Sequence, residues 1–167
     1  MPTIANGPTS NHAPNADFDF FMGKWIIRHR RLKERLAGNN EWIEFSGTAV
    51  AQPLLGGQAN VDDHVLDFPP GPYRAASLRC YDPEKQVWSI WWLDSRTPGH
   101  LDPPVVGTFI EGIGTFLADD ILDGRPIQVR FTWTDTQTPT PHWEQAFSAD
   151  GGKTWETNWT MDFTRVA

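Results

Sequence analysis

The chain has 167 residues, with 14 Lys and Arg against 21 Asp and Glu, and its formal net charge is −7. That acidity disfavours nucleic acid as a partner, because phosphate contacts need a surplus of Lys and Arg. Its length suits one domain, its single cysteine, Cys80, leaves no intramolecular disulfide, and no apolar run reaches the roughly 18 residues of a membrane span. Because the N-terminus also lacks a secretory signal pattern, we expect a cytoplasmic protein that binds neither membrane nor nucleic acid.

In chain order, residues 1–16 come first and are rich in Pro, Asn, Thr and Ala without hydrophobic periodicity, which predicts a disordered arm. Residues 17–167 form the predicted domain, which opens with the short turn "FDFFMGKW". Ten β-rich runs follow, separated by turns rich in Gly, Pro, Asn and Asp. They are "KWIIRHRRLKERL", "EWIEFSGTAVAQPL", "QANVDDHVLDF", "YRAASLRCY", "QVWSIWWLDS", "VVGTFIEG", "IGTFLADDIL", "IQVRFTWTDT", "HWEQAFSA" and "KTWETNWTMDFTRV".

The pattern contains no long amphipathic helix. Short connections between successive strands predict a meander, and closing a meander into a barrel removes its exposed edges. We therefore predict an all-β protein, a single up-and-down antiparallel β-barrel of about 8–10 strands with room for a side-chain core or one small ligand. A two-sheet sandwich is the alternative.

Aromatic residues dominate the composition, with nine Trp and ten Phe against two Tyr. Indole rings bury a large area and carry one N–H group that needs a partner. So many rings in one small domain predict an aromatic core or an aromatic-lined pocket.

Two stretches carry a resemblance to a known fold. "FDFFMGKW" contains Gly23-x-Trp25, which resembles the G-x-W signature of lipocalins and other calycins. Together with "RAASLRCYDPEKQVWSIWWLD" and "WEQAFSADGGKTWETNWTMDFTR", it makes the chain similar to bacterial DUF1579-type proteins, a calycin-like barrel group. The resemblance implies the barrel fold, with Trp25 closing its base, and implies little about function.

Strand alternation selects the first candidate site residues. In "KWIIRHRR", His29 and Arg31 share a face with apolar Trp25 and Ile27, so they are candidates for the barrel interior. An interior Arg31 would bind a carboxylate or phosphate, whereas a solvated Arg31 would lie on the surface.

Histidines supply the candidate general bases. In "DDHVLD", His64 shares a face with Asp62, and a histidine beside a carboxylate can act as a base. His29, His64 and His142 lie on three strands that might converge, but no zinc-binding spacing is present, so we predict no metal. A haem-binding barrel of the nitrobindin type would need His64 or His142 as axial ligand.

The run "VWSIWWLD" is apolar on both faces. Trp88, Ile90, Trp92 and Asp94 share one face, which we assign to the interior, and the other face would then meet a partner subunit in a homodimer. Asp94 beside indoles could have a raised pKa and act as an acid or base. Alternatively, it caps the following turn.

The remaining runs complete the set of candidates. Arg79 shares a strand face with Ser77 and Tyr81, and Gln145 shares one with Trp143, so Gln145 would orient a ligand if that face is interior. Cys80 is interpreted as an inert core thiol. In the last run, Trp159 is assigned to the core face and Asn158 to the outer face.

The stretch Ser148 to Trp155, "SADGGKTW", resembles the Asp-box of sialidases and other β-propellers. It occurs once, and the chain has no propeller repeat, so it predicts a tight hairpin between the last two strands rather than a glycosidase.

Two functions follow from these assignments. The first is binding of a largely apolar small molecule, with an optional anionic group, in a Trp-rich cavity without a cofactor. Its predicted ligand-binding residues are His29, Arg31, Arg79, Trp88, Trp92, Trp143 and Gln145. The second is an isomerase, cyclase or lyase with His64 or Asp94 as the catalytic acid or base.

Overall fold

The structure is a computed structural model that describes residues 16–167. It contains ten strands and two 3-10 helices of three residues each, Asp19–Phe21 and Leu55–Gly57. In chain order the strands are β1 (Gly23–Leu32), β2 (Trp42–Leu54), β3 (Ala59–Leu66), β4 (Tyr73–Asp82), β5 (Val87–Asp94), β6 (Val105–Ile110), β7 (Ile113–Leu122), β8 (Arg125–Thr134), β9 (His142–Ser148) and β10 (Glu156–Arg165).

Each strand pairs antiparallel with the next, and β1 pairs with β10 to close the barrel. The predicted all-β up-and-down barrel is therefore confirmed, and the sandwich alternative is wrong. Within residues 16–167, no helix is long and apolar enough to cross a membrane. The predicted disordered arm lies, except for its last residue, outside the described residues.

One end of the barrel is filled by the Asp19–Phe21 helix. Phe21 is fully buried, and its carbonyl oxygen accepts a hydrogen bond from Trp25 Nε1 at 2.7 Å. The Arg165 guanidinium covers the outer side of Trp25, 4.2 Å from the ring centroid. Trp25 therefore closes the base of the barrel, as its G-x-W position predicts. We call this end, with Phe18, Phe21, Trp25, Trp133 and Phe163, the closed half.

The opposite end is open and is surrounded by the β1–β2, β3–β4, β5–β6, β7–β8 and β9–β10 connections. Strand β6 is short, so only Trp88–Ile90 of β5 pair with it. Residues of β7 beyond Leu117 have no β6 partner, and the β5–β6 loop instead bridges to Leu93 through Leu101. The barrel wall is thus widened on this side. We call this end, with Arg31, Trp92, Phe131, Trp143 and Trp159, the mouth half.

A β-bulge in β10 changes one predicted orientation. The register with β9 shifts between Thr157 and Trp159, and two consecutive side chains, Asn158 and Trp159, are both buried. Asn158 was assigned to the outer face, and this is wrong because a bulge inserts one residue and breaks the alternation. Its side-chain oxygen accepts a hydrogen bond from Gln145 Nε2 at 2.9 Å inside the barrel.

The hairpin formed by "SADGGKTW" connects β9 to β10 at the mouth. Asp150 accepts hydrogen bonds from Lys153 N and Thr154 N at 3.0 and 2.9 Å, and from the Ser148 hydroxyl at 2.8 Å. Trp155 Nε1 donates to the carbonyl oxygen of Gly152 at 3.1 Å. The predicted tight hairpin is thus present, and the side chains of Asp150, Ser148 and Trp155 hold the turn through these hydrogen bonds.

The outer face of β4–β7 is apolar. Leu78, Leu93, Val106 and Leu117 are exposed there. Cys80 is half-exposed on the same face, so its assignment to the core is wrong: alternation along β4 places Arg79, not Cys80, inside. The homodimer expected from this face stays a prediction.

Candidate functional site

A cavity of about 250 Å³ occupies the mouth half of the barrel. Trp159 forms one wall and meets Trp92 and Trp143 edge to face, with centroid distances of 5.8 and 5.7 Å. Strand β8 contributes Phe131, and further apolar lining comes from Ile90, Val105, Ile127, Val129 and Phe147. We call this space the mouth cavity. The mouth cavity has aromatic walls because the inward-facing positions of β5 and β8–β10 carry Trp and Phe side chains.

Two arginines line the mouth cavity near its rim. Arg31 of β1 lies over Trp159, with its guanidinium carbon 4.8 Å from the ring centroid, and its Nη1 donates to Tyr73 Oη at 3.5 Å. Arg35, in the β1–β2 loop, lies 5.3 Å over Phe147. Burial lowers the pKa of both arginines, and repulsion from Arg31 lowers the pKa of Arg35 further. Within residues 16–167, neither forms an ion pair with a carboxylate.

Asp94 lies at the same rim and is held by Arg96. Arg96 Nε and Nη2 donate to the two carboxylate oxygens at 3.0 and 2.7 Å, and the Arg96 backbone N–H adds a third hydrogen bond at 2.9 Å. Burial alone would raise the pKa of Asp94, but the hydrogen bonds from Arg96 outweigh it and hold that pKa below its usual value. The expectation of a raised pKa is therefore wrong, and Asp94 caps the turn that follows β5.

The wall opposite the arginines is acidic. Asp102 of the β5–β6 loop and Asp120 of β7 both line the mouth cavity. Burial, followed by repulsion from Asp120, raises the pKa of Asp102. The rim therefore has a basic side, at Arg31 and Arg35, and an acidic side.

A buried polar cluster lies between the mouth cavity and the closed half. Asp62 is fully buried and accepts hydrogen bonds from Arg79 Nη2 at 2.7 Å and from the Ser77 backbone N–H at 2.8 Å. Arg79 contacts Oδ2, whereas Oδ1 accepts from Ser77 and also lies 3.1 Å from His64 Nε2. Burial would raise the pKa of Asp62, but Arg79 and His64 hold it well below its usual range. Asp62 is therefore an ionised acceptor for all three donors.

In the neutral form of His64, this arrangement selects one tautomer. Because Nε2 donates to Asp62, Nδ1 carries the lone pair, and it has no hydrogen-bond partner among the described residues. A void of about 20 Å³ adjoins His64, Ser77 and Arg79, which is room for about one water molecule. His64 therefore has the local chemistry of a general base, in a space smaller than most substrates.

His29 is held as a neutral ring. Its Nδ1 accepts a hydrogen bond from Trp159 Nε1 at 3.1 Å, and the ring stacks on Phe45 at 4.6 Å. Burial, then repulsion from His64 and Arg31, lowers the pKa of His29 to about 3. His29 thus orients the indole that forms one wall of the mouth cavity.

The structure brings together some of the predicted site residues and separates others. Arg31, Trp92, Asp94, Trp143 and Gln145 line the mouth cavity, while His64 and Arg79 line the void beneath it.

Trp88 instead packs in the closed half, where its Nε1 donates to Asp17 at 3.1 Å. His142 lies on the outer face, 2.7 Å from Asp162, so the three histidines do not converge. Among residues 16–167, no group of three or more His, Cys, Asp or Glu side chains could hold a metal ion.

Sequence reasoning missed Arg35 and underrated Trp159 and Phe131. Arg35 lies in a loop, where strand alternation gives no orientation. Trp159 was assigned to a packed core, and the sequence pattern has no signal that separates a core ring from a cavity wall. Asp62 was noticed only as a neighbour of His64, although it anchors the whole polar cluster.

The fold and cavity define a closed ten-stranded barrel of lipocalin-like fold with a buried aromatic cluster. The structure is similar to that of the S-type phycobiliprotein lyase CPES from Guillardia theta, with a TM-score of 0.58, 10% sequence identity and 90% of each chain covered. At that identity, the likeness shows the fold alone. Neither a family model nor a curated protein matches the sequence, so membership of the DUF1579-type group stays a prediction.

Proposed function

We propose that the protein binds one small, largely apolar molecule in the mouth cavity. The observation that carries this proposal is the cavity itself, about 250 Å³ enclosed by Trp92, Trp143 and Trp159 and open at the rim. Interior space in proteins is normally filled to crystal-like density, as it is in the closed half of this barrel. A space of this size between indole walls is what a bound molecule needs.

The volume and the lining of the mouth cavity indicate which class of ligand would bind there. The volume lies just below the roughly 300–1,000 Å³ typical of small-molecule pockets, which favours a molecule with one ring or a short chain. Indole faces supply flat apolar contact, and Gln145 is a buried polar residue of the lining. Because its Nε2 is engaged by Asn158, Gln145 offers its side-chain oxygen to a ligand donor.

Two neighbouring tryptophans provide a matched test. Trp92 lines the mouth cavity, whereas Trp91 lies on the outer face of the same strand. Phenylbutanol, which fits the volume, should bind with an affinity measurable by calorimetry, and Trp92→Leu should weaken its binding about tenfold through lost contact area. Trp91→Leu should leave the affinity unchanged. Equal effects of the two substitutions would contradict binding inside the barrel.

Native mass spectrometry of the purified protein gives a second, independent readout. A co-purified molecule of one-ring size should leave the protein on gentle activation and should be absent from Trp92→Leu. A bound molecule much larger than the mouth cavity would contradict the proposal.

A second candidate function is proton-transfer catalysis, and one observation favours it. Asp62 lies 3.1 Å from His64 Nε2 and so orients the ring, and in the neutral form Nδ1 carries a lone pair without a partner among the described residues, which is how a carboxylate prepares a histidine base. His64 would take a proton from a carbon acid and return it to another atom of the same molecule, as an isomerase does. The structural neighbour is named a lyase, so this fold does occur in an enzyme.

The geometry around His64 supports proton-transfer catalysis less well than the mouth cavity supports ligand binding. The void beside His64 holds about one water, so a substrate would have to reach it past Trp92. His64→Gln separates the two functions: it should abolish any conversion of a bound ligand while leaving its binding within about twofold. A haem-binding barrel has less support still, because His142 lies outside the barrel and His64 has no adjacent space for a porphyrin.

A further inference from the structure

We propose that Arg31 and Arg35 form a clamp for an oxyanion, and that the ligand of the mouth cavity is therefore an apolar molecule with a single carboxylate at one end. This inference rests on the proposed binding function and adds the charge and the orientation of the ligand. Arg35 takes part although nothing in the sequence pattern marks it.

The two guanidinium groups are positioned by aromatic faces. Arg31 lies between Trp159 and Phe68, at 4.8 and 5.5 Å from their centroids, and Arg35 lies over Phe147 at 5.3 Å. Stacking fixes the plane of a guanidinium and leaves its N–H edge for a planar anion. On Arg31, this edge already has a long hydrogen bond of 3.5 Å from Nη1 to Tyr73 Oη, which a carboxylate could replace or share. A carboxylate between two such edges accepts paired hydrogen bonds, which is the strong form of the interaction.

No carboxylate of the protein already fills this role. Asp94, which is nearest on the basic side, is taken by Arg96 through two side-chain hydrogen bonds. Asp102 and Asp123 attract Arg35 electrostatically, but within residues 16–167 neither forms an ion pair with Arg31 or Arg35. Residues 1–15 contain no Asp or Glu at all. Two half-buried cations are thus left side by side, and an anion brought by a ligand offsets their repulsion and desolvation.

The opposite wall limits the ligand to one charged end. Asp102, in the β5–β6 loop, and Asp120, in β7, line the mouth cavity and would repel a second anionic group. With its carboxylate at Arg31 and Arg35, the ligand would extend its apolar end toward Ile90 and Phe131. The acidic wall and the arginine pair together therefore select monocarboxylates over neutral molecules and over dianions.

A pair of probes with one apolar body separates this inference from the proposed function. Phenylbutyrate and phenylbutanol differ only in the charged end, so calorimetry with both at neutral pH isolates the contribution of the anion. Phenylbutyrate should bind at least tenfold more tightly than phenylbutanol. Arg31→Gln and Arg35→Gln should each remove most of that advantage, measured as the ratio of the phenylbutyrate and phenylbutanol affinities of the same variant.

The control substitution is Arg28→Gln, an exposed arginine on the outer face of the same strand as Arg31. It should leave both affinities unchanged, which excludes a general effect of net charge. Arg35→Lys should keep part of the advantage, because it keeps the charge and loses the planar edge. Circular dichroism of each variant confirms that the barrel is folded.

Each outcome bears on a different claim. Equal affinities for the two probes in the wild-type protein would overturn the clamp and leave the apolar cavity standing. An advantage that survives both Arg→Gln substitutions would also overturn the clamp. Failure of both probes to bind would overturn the proposed function together with the clamp.

Discussion

The two halves of the barrel use the same aromatic residues in different ways. In the closed half, Phe21 packs against Trp25, Trp133 and Phe163 with centroid distances of 5.1 to 5.7 Å, and these rings fill the interior. In the mouth half, Trp92, Trp143 and Trp159 meet edge to face around a space of about 250 Å³. Ring packing stabilises the closed half, whereas the rings of the mouth half are less densely packed and leave a cavity between them.

The buried cluster around Asp62 separates these halves. Asp62 forms an ion pair with Arg79 and lies 3.1 Å from His64 Nε2, so a charged layer lies between the apolar closed half and the mouth cavity. Polar groups at this depth are tolerated because their partners are buried with them. We infer that stability resides mainly below the layer, whereas the proposed ligand site lies above it, and four predictions test that division.

The largest effect is expected from truncation in the closed half. Phe21→Ala removes a fully buried ring and should lower the free energy of unfolding by about 3–5 kcal/mol. Phe131→Ala, the same change at a half-buried wall of the mouth cavity, should cost under about 2 kcal/mol, because less area leaves contact. Urea unfolding of the two variants measures both. Equal losses would show that the mouth half is packed like the closed half.

Breaking the charged layer should have an effect of similar size. Arg79→Met leaves the ionised Asp62 buried without its cation and should cost about 3–5 kcal/mol at neutral pH. Because the pKa of Asp62 is depressed in the folded state, its contribution is present above about pH 4 and is lost as the pH falls further.

The matched control for this pair lies on the surface. Arg74 and Asp63 are separated by the same 2.7 Å but are exposed, so Arg74→Met should cost under about 1 kcal/mol. Chemical unfolding at neutral pH compares the two variants. A small loss for Arg79→Met would mean that the buried layer is not a structural boundary.

A smaller, pH-dependent effect is expected from His29. Its folded-state pKa of about 3 lies below the usual 6.5, so the stability it contributes is complete above 6.5 and is lost as the pH falls toward 3. Between pH 6.5 and 5 this group alone should reduce the stability by about 2 kcal/mol. In His29→Phe, urea midpoints should depend less on pH over that interval. An unchanged dependence would contradict a buried neutral His29.

The smallest effect is expected from the hairpin of the mouth. Hydrogen bonds from the Thr154 side chain and backbone, then from Ser148, hold the pKa of Asp150 well below its usual range. Asp150→Ala should speed amide exchange in the Ser148 to Trp155 hairpin and leave the closed half unaffected. Hydrogen exchange read residue by residue measures this. Faster exchange throughout the barrel would mean that the two halves are not independent.

The fold was predictable because the physical rule behind it is local. Alternation along β1, β3 and β5 predicted that His29 shares a face with Trp25, Asp62 with His64, and Trp92 with Trp88, and the structure places these shared faces inside. Turn residues placed every strand boundary within a few residues. Local chemistry also explains the last hairpin, where Asp150 and two glycines form the turn.

The site was less predictable, because it depends on features without a local signal. The β-bulge before Trp159 turns the Asn158 side chain inward, and no residue type in the sequence there predicts a bulge. Trp88 and Trp92 share a face of one strand, yet Trp88 packs in the closed half and Trp92 lines the mouth cavity. Only the position along the barrel axis separates them, and strand alternation does not report that position.

The most direct test of the account uses the nine indole N–H groups as reporters along the barrel. Their ¹H–¹⁵N resonances, assigned by single substitutions, are followed while phenylbutyrate is added. We expect the indole resonances of Trp92, Trp143 and Trp159, whose rings surround the mouth cavity, to shift, and those of Trp25 and Trp133 in the closed half to stay in place. Saturating phenylbutyrate that leaves the three cavity indoles unmoved, or that moves the closed-half indoles instead, would contradict the account.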